Sequence, residues 1–404
     1  MDDLLLLVHR IPYPPNKGDK IRSYHLLRHL ARRYRVHLGC FIDDADDWRH
    51  VPQVSSWCAS SHFARLSALP ARVRSLGALV TGQSLSCGFY RDAGLRDWVS
   101  QTMQGQGIER ILVFSSTMAQ YVHAYPQARR VVDFVDVDSD KWRQYAERKK
   151  GPMRWLYRHE AGRLLAFERQ VARECDASLF VSAPEAELFR QLAPESAASI
   201  GFFSNGVDTA YFNPAEAGDS PFSGEGRAIV FTGAMDYWPN IDAVQWFARE
   251  ILPAVRERHP RAVFYIVGAR PTPEVQQLAS LEGVRVTGTV PDVRPYIAHA
   301  SVCVAPLRVA RGIQNKVLEA MAMGQTVIVS PQALEGITAT PGRELLLAED
   351  AAHFQSAVAQ FLDAPDPAIG QAARAAVEQR YSWESNLSGV DKLLEAAEPL
   401  RRKA

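Results

Sequence analysis

The stretch VCVAPLRVARGIQNKVLEAMAMG, residues 302–324, contains a strand, a loop and a helix in close succession. Its first residues are apolar and predict a buried strand, and the apolar spacing of its second half predicts a helix that stops at Gly324. In the loop and helix, Gly312 lets a ligand approach the backbone, Lys316 offers a positive charge to phosphate, and Glu319 can accept hydrogen bonds from two vicinal hydroxyls. This combination suits a sugar nucleotide.

On both sides of a turn-rich segment, short apolar runs alternate with longer amphipathic stretches. The runs before it, which predict buried parallel strands, are 4–8, 36–42, 111–114, 131–135, 177–181 and 200–203. The runs after it repeat the rhythm at 228–231, 263–267, 284–287, 302–305 and 327–329. Two parallel α/β domains are therefore predicted.

The chain has 404 residues, which is more than one core usually contains and fits two domains. Asn-Gly, Asn-Pro and Ser-Pro pairs place a turn-rich connection between them. The predicted division is a first domain over 1–206, a hinge over 207–226 and a second domain over 227–381. The segment 382–404 has helical spacing and is predicted to form a helix that crosses back toward the first domain.

Composition excludes several classes of protein. The formal net charge of +1 gives no support to nucleic acid as a partner. The apolar run at 4–8 is too short for a signal peptide or a spanning helix, so we expect a cytoplasmic protein. The five cysteines form no C-x-x-C pair, which favours reduced thiols over zinc ligands or disulfides.

Residues 141–173 form a local exception, rich in arginine and lysine and interleaved with tryptophan and tyrosine. Such a helix could lie on an anionic membrane surface. It could equally be a solvated helix whose arginines pair with its own acids, Glu147, Glu160, Glu168 and Glu174.

A second loop between a strand and a helix follows the first apolar run. It spans residues 10–20, and the helix after it is predicted over 21–33. Backbone amides at such a helix start can receive a phosphate, with Gly18 close to it. The loop lacks G-x-G-x-x-G, so a nicotinamide cofactor has little support.

Several motifs, in their order along the chain, resemble those of the family 4 retaining glycosyltransferases. These are DASLFVS at 176–182, NGVD at 205–208, FTG at 231–233, YIVG at 265–268, GTVPD at 288–292 and the stretch 302–324. The resemblance implies the GT-B fold, with two facing Rossmann-like domains and a deep cleft between them. It also implies a UDP- or GDP-linked sugar as donor substrate, with no separate cofactor and no metal.

The donor-binding residues that the resemblance implies lie mostly in the second domain. They are Gly18, Gly233, Gly268, Val290, Gly312, Ile313, Gln314, Asn315, Lys316, Val317 and Glu319.

The sequence departs from the family at the charged positions of the donor site. Of the two spaced glutamates of the family, Glu319 matches the second, but Arg311 occupies the place of the first. Ala234 and Pro239 stand where many relatives carry arginine and lysine. Lys316 and Arg311 are then the expected diphosphate contacts and catalytic cations, with two further arginines, Arg308 and Arg294, as other candidates.

The acceptor is expected on the first domain. Many relatives have an acceptor-side histidine near Asp136, which is therefore predicted to orient the acceptor hydroxyl or take its proton, with Asp138 as the alternative. Magnesium held by these two and Asp133 is a further possibility, although their spacing about a strand end is irregular. Three more predicted acceptor-side residues are His9, which ends the first strand, Asn16 and Lys17.

The opening HRIPYPPNKGDK at 9–20 and the variant RGIQNKVLEAMA at 311–322 look like a subgroup associated with bacterial exopolysaccharide and exosortase loci. This narrower resemblance implies a glycan or lipid-linked acceptor at the inner face of the cell membrane. Two alternatives remain open, a nucleotide-sugar epimerase on the same fold and a sugar-nucleotide-binding protein without turnover.

Overall fold

The computed structural model describes residues 1–15, 18–147, 149–222, 224, 226–310 and 312–396. Within these residues the chain forms two compact units. The first contains Met1–Ser204 and the described residues from Leu387 onward, and the second is Asn205–Asn386. The segment predicted as a hinge, 207–226, is grouped with the second unit.

A parallel sheet of seven strands in the described chain forms the centre of the first unit, in the order β3-β2-β1-β4-β5-β6-β7. Its strands are β1 Asp3–Val8, β2 Arg35–Ile42, β3 Ser60–Arg65, β4 Arg110–Phe114, β5 Arg129–Val135, β6 Ala177–Phe180 and β7 Ile200–Phe202. Its α-helices are α1 Gly18–Leu30, α2 Val51–Ser55, α3 Ala68–Thr81, α4 Leu85–Phe89, α5 Ala93–Gln106, α6 Asp138–Glu147, α7 Gly151–Glu174 and α8 Ala183–Leu192. The apolar run predicted at 4–8 lies in β1, where it is buried, as a central parallel strand requires.

Buried ion pairs tie α1 to other elements of the first unit. The Lys20 ammonium donates to Asp47 (2.6 Å), and the Arg22 guanidinium donates to Asp133 (2.7 Å) and to the carbonyl of Phe203 (3.0 Å). Arg22 thereby ties β5 to the residue that follows β7. Helix α1 starts at Gly18, three residues before the predicted start at Ile21.

The second unit contains another parallel sheet, with six strands in the described chain in the order β10-β9-β8-β11-β12-β13. Its strands are β8 Arg227–Thr232, β9 Ala262–Val267, β10 Val284–Gly288, β11 Val302–Ala305, β12 Val327–Val329 and β13 Leu346–Leu347. The α-helices that follow are α9 Trp238–Trp246, α10 Leu252–Arg258, α11 Pro273–Gln277, α12 Arg294–Ala298, α13 Asn315–Ala322, α14 Pro331–Leu334, α15 Ala351–Asp363, α16 Pro367–Arg380 and α17 Trp383–Glu395. The opening motif thus folds as β11, a loop and α13.

The first residues of helix α17 belong to the second unit, and its residues from Leu387 onward belong to the first unit. Asp391, on this helix, accepts a hydrogen bond from His29 (2.8 Å). Residues 397–404, the end of the predicted crossing helix, lie outside the described part of the chain. None of the described helices has the length and apolar character needed to cross a membrane.

Candidate active site

Two glycines meet at the carboxyl edge of the second sheet, where β8 and β9 end. A Cβ placed on Gly268 would lie 1.6 Å from the carbonyl oxygen of Gly233. A Cβ on Gly233 would in turn lie 2.7 Å from Nδ2 of Asn240 in the first turn of α9. Only glycine therefore fits either position, and the backbone at this edge stays uncovered by side chains of its own.

The ammonium of Lys316, in the first turn of α13, lies at this same edge. Its Nζ donates to Oδ1 of Asn240 (2.8 Å) and lies 5.1 Å from the centre of the Phe231 ring. The amide of Asn240 also donates from Nδ2 to the carbonyl of Ala234 (2.9 Å). Asn240 therefore holds the lysine beside the Gly233 turn, a role that the sequence did not reveal.

Burial shifts the ionisation of both charged residues of α13. It lowers the pKa of Lys316 to about 8, although the charge of Glu319 acts in the opposite direction. It raises the pKa of Glu319 to about 7, although the charge of Lys316 acts in the opposite direction. Their three-residue spacing puts both on one side of the helix. Such shifts in a pair of partly buried groups are typical of functional sites.

The start of α13 offers further ligand contacts. The Gln314 side chain does not cap the helix and donates instead to the carbonyl of Gly312 (3.1 Å). The backbone of Gly312 has a φ of +63°, in the left-handed region, and no described residue beyond its chain neighbours occupies the space where a side chain would be. Oδ1 of Asn315 is buried and has no hydrogen-bond partner in the described chain. An anion at this end of the helix would meet backbone amides and the positive end of the helix dipole.

The remaining predicted donor residues fall into two groups. Ile313 and Val317 have buried side chains in the core of the second unit, and Val290 packs against that core, so the first two can offer a ligand little beyond their backbone. Gly18 opens α1 in the first unit. Arg311, the predicted second cation, lies outside the described residues.

The two other candidate arginines have carboxylate partners. Arg308 forms a two-point ion pair with Asp242. Arg294 pairs with Asp292 (2.7 Å) and donates to the carbonyl of Tyr211 (3.1 Å). A diphosphate would have to compete with these carboxylates, so Lys316 is the better placed cation of the three.

In the first unit, His9 follows β1 in an aromatic setting. Its ring stacks on Phe114, with centroids 5.7 Å apart, and meets the edge of Tyr90 at 5.9 Å. Its Nε2 lies 3.3 Å from Asp19, which Arg10 also binds (2.6 Å). Burial opposes the charge of Asp19, but the hydrogen bond from His9 and the charge of Arg10 lower the pKa of this carboxyl well below its ordinary value. Nδ1 of His9 is buried and unpartnered among the described residues.

The acids after β5 separate into two environments. Val135 has a φ of +70°, which is rare for a β-branched residue and turns the chain out of the strand. Asp136 and Asp138 then share the ammonium of Lys141, at 2.7 and 3.1 Å, whereas Asp133 is buried against Arg22. The three acids therefore do not form a magnesium site. In the described chain no group of three or more histidine, cysteine, aspartate or glutamate residues is arranged to hold a metal.

Tyr90 is a further residue of this region that the sequence did not single out. Burial raises its pKa to about 12, Arg10 acts in the opposite direction, and the charges of Asp43 and Asp138 add to the rise. Tyr90 is thus coupled electrostatically to the residues around both His9 and Asp138. Asn16 and Lys17, predicted on the acceptor side, lie outside the described residues.

The acids of the basic segment have other partners than predicted. Glu147 pairs with Arg143 as predicted, but Glu160 is fully buried and accepts hydrogen bonds from Ser84 and Ser86 at the start of α4. Glu168 likewise accepts from Ser139 at the start of α6, and Glu174 pairs with His123. The prediction that these three acids neutralise neighbouring arginines was wrong, because two of them cap helices in the interior.

Comparison with known proteins bears on both units. Residues 226–364, within the second unit, match the family described as Glycosyl transferases group 1. No curated protein matches the chain in sequence.

Solved structures match nearly the whole chain. Sucrose-phosphate synthase from Thermosynechococcus elongatus has a TM-score of 0.68 at 19% identity, covering 97% of this chain and 98% of its own. Anabaena HepE in complex with UDP has a TM-score of 0.66 at 15% identity, covering 98% and 99%. An alpha,alpha-trehalose-phosphate synthase (UDP-forming) from Burkholderia vietnamiensis has a TM-score of 0.63 at 13% identity, covering 98% and 100%. Together with the two parallel α/β units, this likeness shows the GT-B fold.

Proposed function

We propose that the protein is a glycosyltransferase that takes its sugar from a nucleotide diphosphate sugar, UDP- or GDP-linked. The observation that carries the proposal is the placement of Lys316. Its ammonium, held by Asn240 beside Gly233, lies at the uncapped start of α13 and three residues before Glu319. A diphosphate is bound by positive charge and amide donors, and the ribose of the same nucleotide can donate hydrogen bonds to a carboxylate. A nucleotide site therefore needs these groups close together, as they are at the start of α13.

The proposed chemistry follows from these contacts. The bond between the anomeric carbon and the diphosphate oxygen breaks, and negative charge grows on the departing diphosphate. Lys316, the amides of α13 and Arg311 would stabilise that charge more strongly in the transition state than in the bound donor. These cations would neutralise the charge of the departing diphosphate, which a bound metal ion neutralises in other enzymes, so we propose a metal-independent reaction.

The acceptor side of the proposal rests on the first unit. We propose that Asp136, or its neighbour Asp138, accepts a hydrogen bond from the acceptor hydroxyl and takes its proton as the hydroxyl oxygen bonds to the anomeric carbon, with His9 nearby along the sheet edge. The acceptor would attack with retention of the anomeric configuration, as in the family that the motifs resemble. A glycan or lipid-linked acceptor of bacterial exopolysaccharide synthesis, met at the inner face of the cell membrane, completes the proposal.

A panel of nucleotide sugars, screened by thermal shift, tests the donor site. A bound donor stabilises the folded state, so one donor class should raise the melting temperature. Lys316→Ala and Glu319→Ala should abolish that rise. Lys392→Ala and Glu257→Ala are matched controls, since both side chains are exposed and outside the site. A rise that survives in both site variants would show that the nucleotide binds elsewhere.

Turnover then separates transfer from its two alternatives. A glycosyltransferase releases the nucleotide diphosphate faster when an acceptor is added. An epimerase changes the sugar while it remains attached to the nucleotide, and a binding protein does neither. Donor binding without release in the presence of glycan acceptors would contradict the proposed transfer.

A further inference from the structure

Helix α3 of the first unit exposes three large apolar residues to solvent. The side chains of Leu69, Val73 and Leu76 are 75%, 71% and 53% exposed. Their spacing of four and three residues places them on one face of the helix, called here the α3 face. A helix of a soluble protein normally turns such a face toward the core, so the α3 face is the reverse of the usual arrangement.

The opposite side of α3 explains why the helix does not turn over. Ala71, Ser75 and Ala78 are buried. Ser75 and Ala78 lie against α4, where a Cβ on Gly88 would lie only 3.1 Å from the Cα of Ser75. Arg74 donates to the carbonyl of Phe89 (2.9 Å) across the same contact. Larger residues would not fit there, so the packing itself directs the α3 face outward.

The stretch of chain that contains α3 carries charges of one sign only. Residues 48–91 contain no aspartate or glutamate, and Arg72 is exposed on α3 beside the α3 face. Near the other end of the helix, Gly82 lies against the guanidinium of Arg163, on α7. An apolar stripe bordered by arginine and free of acids matches an anionic lipid surface, where apolar side chains enter the acyl region and cations meet phosphate groups.

The first turns of α7 add a second patch of the same chemistry. Trp155 and Met153 are 62% and 45% exposed, and Arg154 and Arg158 are exposed beside them. Tryptophan next to arginine suits the boundary between lipid headgroups and acyl chains. By contrast, farther along α7, Arg169 and Arg173 are both paired with Glu195. Among the described residues of the segment 141–173, basic charge without a carboxylate partner therefore concentrates toward the end of α7 that carries the aromatic residue.

We propose that the α3 face inserts into an anionic membrane surface, with the first turns of α7 as a second contact. The inference deepens the proposed function, on which it rests for a membrane-located acceptor, by naming the element that binds the membrane. Lipid binding itself requires neither donor nor turnover.

Sedimentation with lipid vesicles tests the inference on the full-length protein. The wild type should bind vesicles of phosphatidylcholine mixed with phosphatidylglycerol, and bind much less to phosphatidylcholine alone. The triple variant Leu69→Ser, Val73→Ser, Leu76→Ser should partition onto the vesicles at least about tenfold more weakly, because it has lost three large apolar side chains that would transfer from water into lipid. Arg72→Gln should lose about fivefold on the mixed vesicles only.

Leu281→Ser, at a partly exposed leucine of the second unit, is the matched control and should bind like the wild type. Because the three substituted side chains are exposed, the triple variant should keep the wild-type melting temperature and its shift with a nucleotide sugar. Retained nucleotide binding with no vesicle binding would overturn the membrane inference and leave the proposed donor site standing. Vesicle binding by the triple variant equal to that of the wild type would also overturn the membrane inference. So would self-association of the wild type that the triple variant alone has lost, because the α3 face would then bind a second copy of the protein.

Discussion

Raising the pH through the pKa of Lys316 is expected to weaken nucleotide binding, because the proposed donor site then loses the positive charge of this lysine. Burial lowers this pKa to about 8, against the opposing charge of Glu319. A group with that pKa is about nine-tenths protonated at pH 7 and about one-tenth protonated at pH 9. A diphosphate binds the protonated form, so the affinity for UDP or GDP should fall about tenfold over this range.

Nucleotide binding is also expected to take up protons. The negative charge of a bound diphosphate favours the ammonium and moves the pKa of Lys316 back toward its ordinary value. Near pH 8 the free site is about half protonated and the bound site nearly fully so, which gives an uptake of about half a proton. Titration calorimetry in two buffers of different ionisation enthalpy measures this number directly. Glu319, with a pKa of about 7, ionises at lower pH and does not produce the fall above pH 8.

Lys316→Met provides the decisive comparison. It should bind about tenfold or more weakly at pH 7, the usual loss for a hydrogen bond to a charged group, and its affinity should no longer fall toward pH 9. Lys392→Met should match the wild type in both respects. An affinity that stays constant from pH 7 to pH 9 in the wild type, or that falls equally in Lys316→Met, would refute the assignment of this lysine to the diphosphate.

Substitutions at Asn240, Gly268, Gly312 and Glu168 test the positioning of Lys316 and the stability of the fold. Asn240→Asp should raise the pKa of Lys316 and weaken nucleotide binding, since the new carboxylate competes with the diphosphate, and the pH profile of affinity should shift to higher pH. Unchanged affinity and profile would rule out the positioning role. Gly268→Ala should lower the free energy of unfolding by about 2–4 kcal/mol, because the new Cβ clashes with Gly233. Gly312→Ala should lower it by only about 1–2 kcal/mol, because there only the left-handed backbone is unfavourable. Denaturant unfolding measures both losses, and equal losses would contradict the close approach of Gly268 to Gly233. Burial and the charge of Asp138 raise the folded-state pKa of Glu168 to about 8, so the folded state binds one more proton than the unfolded state between about pH 5 and 8. The free energy of unfolding should therefore fall as the pH rises through that window, by about 4 kcal/mol at most. In urea titrations, Glu168→Gln should flatten this fall.

The sequence predicted the buried strands well because a parallel strand covered on both faces is apolar throughout. It missed β3, whose sequence SSHFAR is largely polar, because this strand lies at the edge of its sheet and, within the described chain, pairs only with β2. It also missed β13, a two-residue strand at the edge of the second sheet. Edge strands bury too little surface to need an apolar run, so periodicity gives no sign of them.

In the candidate site, too, the sequence pattern predicted individual residues but not the contacts that tertiary packing gives them. Lys316 was predicted from its charge and its place in the motif, but its partner Asn240 is neutral and distant in sequence. The expectation for Glu160 failed for a related reason: helical spacing suggested an arginine partner, whereas the helix faces the interior and the carboxylate caps α4. Contacts between elements that are remote in sequence are set by tertiary packing, which local spacing does not contain.

The electrostatics of the two units favour different ligands. In the second unit, desolvation depresses the pKa of Lys316, and a bound anion such as the diphosphate of the proposed donor would relieve that destabilisation. In the first unit, Asp136 and Asp138 already share the ammonium of Lys141, whose pKa they raise although burial opposes this. A second anion there would meet two carboxylates, whereas a neutral hydroxyl could donate to one of them without disturbing the pair. Charge alone therefore argues for the donor in the second unit and a hydroxyl-bearing acceptor on the first.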